Sequence, residues 1–190
     1  MAIQKAKIMG IQNKKYNTYD LSKEYGIGYT SNTNELFYFD IEDYNLIKNY
    51  CWEKDSRGYI ATKINNAIIF MHRLVMNCPD NMDIDHIYHN TWDNRKNEMR
   101  IVTESQNAMN RKIYKNNTSG VKGVGWNKLM NKWHAYITVN KVLINLGYYD
   151  NFNDAVEIRK YAEDKYFGEY NYKENPESTD STIDNNSNII

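Results

Sequence analysis

The chain has no apolar run of membrane-spanning length, so no transmembrane helix is expected. Its opening residues, MAIQKAKIMG, lack the apolar core and cleavage site of a secretory signal, and a cytoplasmic location, in a bacterium or a phage-infected host cell, is the expectation. Cysteine is scarce. Only Cys51 and Cys78 occur, with no C-x-x-C pair, which leaves two reduced thiols rather than a disulfide framework. Four soft ligands cannot be assembled at sensible spacing, which argues against zinc. A charge imbalance is lacking too: 24 Lys and Arg stand against 24 Asp and Glu, a balance that taken alone points away from nucleic acid.

The placement of the charge reverses that inference. From Ser105 to Tyr149 there is no acidic residue, while the same stretch carries Arg111, Lys112, Lys115, Lys122, Lys128, Lys132 and Lys141. The balancing acids lie elsewhere, Glu174, Glu177, Asp180 and Asp184 near the C-terminus among them. A local basic run is an electrostatic footprint for phosphate, a solvated lysine-rich face being the plainer alternative. The 190 residues suffice for one medium domain or two small ones, and 41% hydrophobic with 14% aromatic content fits folded protein rather than disorder.

Residues 1–15 read as a loose lead-in. From Tyr16 to Phe39 the pattern suggests short strands with turns at Gly26, Gly28 and Ser31-Asn32. Asp40 is placed to cap a helix over IEDYNLIKNY. GYIATKI and AIIFMH flank Asn65-Asn66, a pair that tolerates the positive φ of a two-residue hairpin turn. A short helix around MHRLVMN follows, ending before Pro79. Then MDIDHI reads as a strand, YHNTWDNRKNE as a polar loop and MRIV as a strand. Thr103 opens a capping box with Gln106 for a helix running to about Lys112. NNTSG, within a linker at 113–120, precedes three strands, VKGVGWNK, KWHAYITVN and VLINLGYY. Their alternation puts Val124, Trp126, Trp133, Ala135, Ile137, Val139, Ile144 and Leu146 on one face. Asn153 is placed to cap the last helix, with Gly168 stopping it and Ala155, Ile158, Ala162 and Tyr166 covering the sheet. Residues 173–190 read as a disordered tail.

Cutting a phosphodiester requires an activated water, neutralised phosphate charge and help for the leaving 3′ oxygen. A divalent cation supplies the last two and a histidine near its neutral pKa the first. Asp85 and His86 are adjacent, so on a regular strand they face opposite ways, and a twisted or bulged end is needed to bring both to one cleft. Asp85 and the amide oxygen of Asn107 are hard donors suited to magnesium.

The order I-D-H-I, N-x-x-D-N-R and M-R-I-V-T-x-x-x-N, preceded by M-H-R-L-V-M, resembles the HNH homing-endonuclease branch of the ββα-metal nucleases over residues 71–110. The resemblance implies that His86 activates water, that Asp85 and Asn107 hold magnesium (manganese substituting) and that Asn94 braces the loop over the site. Asn94 as a simple loop cap is the other reading. Two departures stand out: His89 replaces a common glycine, and Asn97-Glu98 reverses the usual order. His72 reads as structural and Arg73 as a phosphate contact. Asn110 and Arg111 share the helix face of Asn107, which makes Arg111 a second candidate for phosphate.

Residues 118–170, with S-G-V-K-G-V-x-W, K-W-x-A-x-I and L-G-Y-Y-x-x-x-x-D-A, look like an Apetala-type (ethylene-response-factor) DNA-binding domain. That resemblance implies a three-stranded sheet laid in the major groove and backed by one helix. The exposed face would carry Gly125, Asn127, His134, Tyr136, Thr138, Leu143 and Asn145, with Lys122 and Lys141 at its edges. No arginine lies on these strands, so base readout would rest on Asn127, Asn145 and DNA shape.

The reading is therefore α+β: a β-rich region with an HNH core over 16–112 (motif 71–112), the linker, and a DNA-binding module over 121–172. It implies a magnesium-dependent DNA endonuclease acting on double-stranded DNA, as monomer or homodimer. A DNA-binding regulatory protein with an inactive nuclease core is the alternative.

Overall fold

The structure, a computed structural model, describes residues 16–175; the expected lead-in and residues 176–190 of the expected tail lie outside them. The fold is α+β, built from small antiparallel sheets with helices interspersed. Two compact units form, one from residues 16–77 and 91–99 and the other from 78–90 and 100–175.

The first unit holds two three-stranded sheets. In one, β1 (Thr18–Asp20), β2 (Gly26–Tyr29) and β3 (Leu36–Phe39) follow in order. Gly26 and Gly28 are not turn residues, as the sequence suggested, but strand residues facing Phe39 and Phe37. The two rings lie over the bare glycine backbones, where a Cβ would come within 2.3 and 2.2 Å of them. Glycine is there so that the fully buried Phe37 and Phe39 can lie flat on the sheet. Gly28→Ala should cost about 1–3 kcal/mol by overpacking, read as a lower urea midpoint; an unchanged midpoint would dispose of this account.

Asp40 precedes a 3-10 turn (Ile41–Asp43) and a one-turn helix α1 (Tyr44–Ile47), shorter than the ten-residue helix expected. The reason is local. The Asp40 carboxylate makes no cap hydrogen bond and instead accepts from the Lys96 amide at 2.8 Å. The second sheet orders β4 (Glu53–Lys54), β5 (Ile60–Ile64) and β6 (Ala67–Phe70). Asn65 and Asn66 turn between β5 and β6 with φ of 49° and 68°, as their side chains permit. Helix α2 (Met71–Val75) buries Met71 and His72; the His72 ring stacks on Phe70 at 5.3 Å. Part of the polar loop also belongs here. Tyr38 pairs with Asp93 in an isolated parallel bridge, and Arg95 ion-pairs with Asp93 while lying over the Tyr25 ring.

The second unit begins with β7 (Asp83–His86), paired with β8 (Met99–Val102), and continues into α3 (Glu104–Met109). The capping box of Thr103 and Gln106 is formed, and α3 stops three residues short of Lys112. The stretch Asn117–Val121 is a hydrogen-bonded turn: Asn117 Oδ1 accepts from the Gly120 amide, and Ser119 Oγ donates to the Val124 carbonyl. Strands β9 (Val124–Asn127), β10 (Lys132–Val139) and β11 (Val142–Tyr149) order as β11-β10-β9, with a bulge between Ala135 and Tyr136.

Helix α4 (Phe152–Tyr166) packs on that sheet. Its cap is Asn151 rather than Asn153, two residues earlier than the sequence suggested. Ala155 and Ala162 are buried against it, but Tyr166 is exposed, and Phe167 just past the helix end is buried in its stead. Met109 of α3 joins Ile137, Ala162 and Phe167 in one core cluster, so α3 and the C-terminal sheet share a core.

Candidate functional site

Strand β7 sets the site by alternation. Asp83 and Asp85 fall on one face and His86, next in line, on the other. The first face meets α3, on which Asn107 and Asn110 are one turn apart. Asn107 Nδ2 donates to Asp83 at 3.4 Å, and Asn110 Nδ2 donates to both oxygens of Asp85 at 2.9 and 3.0 Å. Asp85 is buried and also accepts two bonds from Arg100 of β8, at 2.8 and 2.7 Å, both on Oδ2. Asn110, at 1% exposure, is closed in further by its bonds to the His86 and Ile87 carbonyls.

Of the residues singled out for metal, then, the structure carries both on facing elements but gives each a different neighbour. Asn107 lies on Asp83 and Asp85 on Asn110 and Arg100. Asp83, Asn110 and Arg100 complete the cluster; the Asp-x-Asp spacing on β7 was the sequence signal for Asp83. His86 is buried at the end of β7. Asn94 is fully buried in the first unit, its amide donating to the Trp92 carbonyl and its backbone to Tyr38. Arg73 lies on α2 of that same unit, half-buried.

The donor chemistry of the cluster fits a hard cation. Among the described residues no group of three His, Cys, Asp or Glu is disposed to bind a metal. Two carboxylates and an amide oxygen on one face suit magnesium, which needs few protein ligands and keeps its waters. Oδ1 of Asp85 takes one bond from Asn110 and retains a lone pair, whereas Oδ2 is filled by Arg100.

His89 adds a feature of its own. It turns back on His86 through an amide-to-carbonyl bond of 3.0 Å and holds a left-handed φ of 62°, the geometry a glycine takes without strain. Its ring stacks on Tyr172 at 4.9 Å. Burial, followed by the Lys112 charge, holds its pKa below the usual histidine range.

On the C-terminal sheet, one face carries Tyr136, His134 and Tyr148 as a row. His134 lies 5.3 Å from Tyr136 and stacks on Tyr148 at 4.6 Å. Asn145 Oδ1 is 3.1 Å from His134 Nε2, and Thr138 is exposed opposite Leu143. Tyr148 had no place among the sequence candidates because its position reads as one more tyrosine in LGYY. Asn127 points its amide oxygen into its own turn, accepting from the Leu129 and Met130 amides. Lys141 pairs with Glu104. Lys122 turns away from the sheet face: its Nζ donates to the Arg111 carbonyl at 2.8 Å beyond the end of α3, and burial pushes its pKa down. Arg111 and Lys112 remain exposed, beside a cavity of about 440 Å³ that Lys122, Lys141 and Arg159 also line.

No family model and no solved structure matches the chain to a significant degree. Two curated proteins do. A protein of Escherichia phage T7, named Protein 3.8, is 35% identical over 60 residues, which covers 32% of this chain and 50% of that protein. The chain thus aligns with about half the length of this phage relative. A protein of Acanthamoeba polyphaga mimivirus, named as an uncharacterized HNH endonuclease, is 22% identical over 139 residues, 70% of this chain and 71% of that protein. The chain is therefore similar, at a distance, to a viral protein named as an HNH endonuclease.

Proposed function

We propose that the chain is an HNH-type endonuclease that hydrolyses phosphodiester bonds of double-stranded DNA with magnesium, for which manganese can substitute. The observation that carries this reading is the pairing of the Asp85-His86 strand with the asparagine-bearing helix α3 in a strand–loop–strand–helix unit, in a chain similar to a protein named as an HNH endonuclease. Following the HNH resemblance, His86 is assigned the proton of the attacking water; strand alternation sets it on the face opposite Asp85, so this role requires the β7 end to twist until both side chains reach one phosphate. Asp83, Asp85 and Asn107 would hold the cation, which when bound neutralises phosphate charge and aids the leaving oxygen. Water oxygen bonds to phosphorus as the P–O3′ bond breaks, leaving a 5′-phosphate and a 3′-hydroxyl. Asn94 braces its loop through Tyr38 and Trp92, and Arg73 is a candidate phosphate contact.

Those ends supply the test. Nicks made by the purified chain in duplex DNA should be resealed by DNA ligase with no added kinase. Products that ligase cannot seal, or no product with either metal, would overturn the reaction assigned. One observation favours the alternative of a DNA-binding regulator: Arg100 and Asn110 already occupy most of the Asp85 carboxylate. Binding without nicking would select it.

Duplex binding is assigned to the Apetala-like sheet face of Tyr136, His134, Tyr148, Thr138 and Asn145, with phosphate contacts at Arg111, Lys112 and Lys141. Replacing Arg111 and Lys112 with alanine in the full chain should reduce the slope of log affinity against log salt by about two units, since each lost phosphate contact removes about 0.9. Fluorescence anisotropy across a salt series measures it, and an unchanged slope would remove this pair from the interface.

A further inference from the structure

Beyond Phe167 the chain does not simply end its helix. Gly168, with a left-handed φ of 51°, reverses it into a 3-10 turn (Gly168–Tyr170), and the next residues run back along the β7–α3 cluster. The contacts there are specific. Arg100 donates through NH1 to the Glu169 carbonyl, and its guanidinium lies 4.9 Å from the Tyr170 ring centre. The Lys173 amide donates to Asn110 Oδ1 at 3.4 Å. Tyr172 stacks on His89 and also carries Lys122 at 5.4 Å from its ring centre.

Arg100 and Asn110 are the two residues that hold the Asp85 side chain, and the returning segment touches both. It also touches the turn that follows His86. We infer that Glu169–Lys173 is a positioning strap for the cleavage site: it sets the Asp85 carboxylate through Arg100 and Asn110, and the β7 end through His89. The inference rests on the nuclease reading for its consequence, not for its geometry. It gives the C-terminal module a second role besides holding DNA. The carboxylate is oriented only when the module is folded and its last residues are seated, so cleavage is coupled to the integrity of the part that binds the target.

The geometry also explains a costly choice. A histidine in the left-handed region is strained where glycine would be free, and the Tyr172 stack is the contact that the histidine ring makes in return. None of the strap residues touches substrate in this scheme. Their effect passes through other side chains, as outer partners of metal-binding residues act.

The test uses the full chain with Tyr172→Ala and Tyr172→Phe. Tyr172→Ala should lower the single-turnover rate at saturating duplex by about ten- to a hundredfold, the usual effect of losing such a partner, with duplex affinity within about twofold. Hydrogen exchange should accelerate at the amides of residues 85–90 while β10 and β11 stay protected. Tyr172→Phe keeps the ring and should restore both. A wild-type rate and unchanged exchange at 85–90 in Tyr172→Ala would overturn the strap, as would failure of phenylalanine to rescue. Should Tyr172→Ala loosen the whole sheet, Lys173→Pro, which deletes the amide bonded to Asn110 and constrains the backbone at Tyr172, must show the same local acceleration, and its absence sinks the inference. If the wild type cleaves nothing, the nuclease reading falls, and the exchange data still decide the strap.

Discussion

His86→Ala is expected to lose cleavage by about a hundredfold to ten-thousandfold, the usual worth of a positioned general base, while duplex affinity stays close to that of the wild type. His86 sits at the C-terminal end of β7, with Asp85 directed to α3 on the opposite face. It carries no phosphate-binding charge in its neutral form, so binding should not depend on it. The imidazole is buried at 6% exposure, and truncation to alanine leaves a hole. His86→Gln therefore accompanies it: glutamine fills much of the space and keeps polar contacts but cannot take a proton near neutral pH. Both variants should be equally inactive in single-turnover assays. Glutamine cleaving near the wild-type rate would remove His86 from proton transfer.

The second large effect is on stability. Arg100→Ala is expected to cost about 3 kcal/mol, because removing one partner of a buried ion pair strands the other charge. Asp85 would keep only Asn110 as a donor, and the bond to the Glu169 carbonyl would go as well. The lower end of the range for such pairs is chosen because the Arg100 side chain retains 14% of its exposure. Asp85→Asn introduced into Arg100→Ala should recover part of the loss, since a neutral amide does not need the guanidinium. Urea denaturation of the two single variants and the double variant measures this. If the double variant is as unstable as the sum of the singles, the two side chains do not act as a pair.

Much of the fold was legible where local chemistry and tertiary packing agree. The Asn65-Asn66 hairpin, the Thr103–Gln106 capping box and the alternation of the three C-terminal strands each follow from side-chain period and turn geometry. Elsewhere a distant partner decided. Gly26 and Gly28 look like turn residues until Phe37 and Phe39 are seen lying across them from the next strand. Asp40 looks like a helix cap until the Lys96 amide, far along the chain, takes its carboxylate. Arg159 reads as a polar position on α4, yet it is 5% exposed because it bonds the Tyr136 carbonyl and Glu163.

The site shows the same division. Asp85, His86 and Asn107 stand out by their order along the chain. The roles of Arg100 and Asn110 do not, since each depends on which face of β8 or α3 meets Asp85. The segment after Phe167 carried one signal, Gly168 as the helix stop; its contacts with the site did not show, because they are made by backbone groups and by tyrosines common in this sequence. Lys122 shows another case: its charge suggests a phosphate contact, while its chain length, which the sequence pattern does not direct, lets its Nζ reach the Met109 and Arg111 carbonyls at the end of α3.

The central claim, that this chain hydrolyses DNA with a metal ion, is tested most directly by incubating the purified protein with supercoiled plasmid and magnesium and resolving the products on an agarose gel. Nicked circles or linear DNA should accumulate with time, disappear when the metal is chelated and be absent with His86→Ala. Plasmid that remains supercoiled with the wild-type protein, at concentrations where anisotropy shows the DNA to be bound, would contradict the claim.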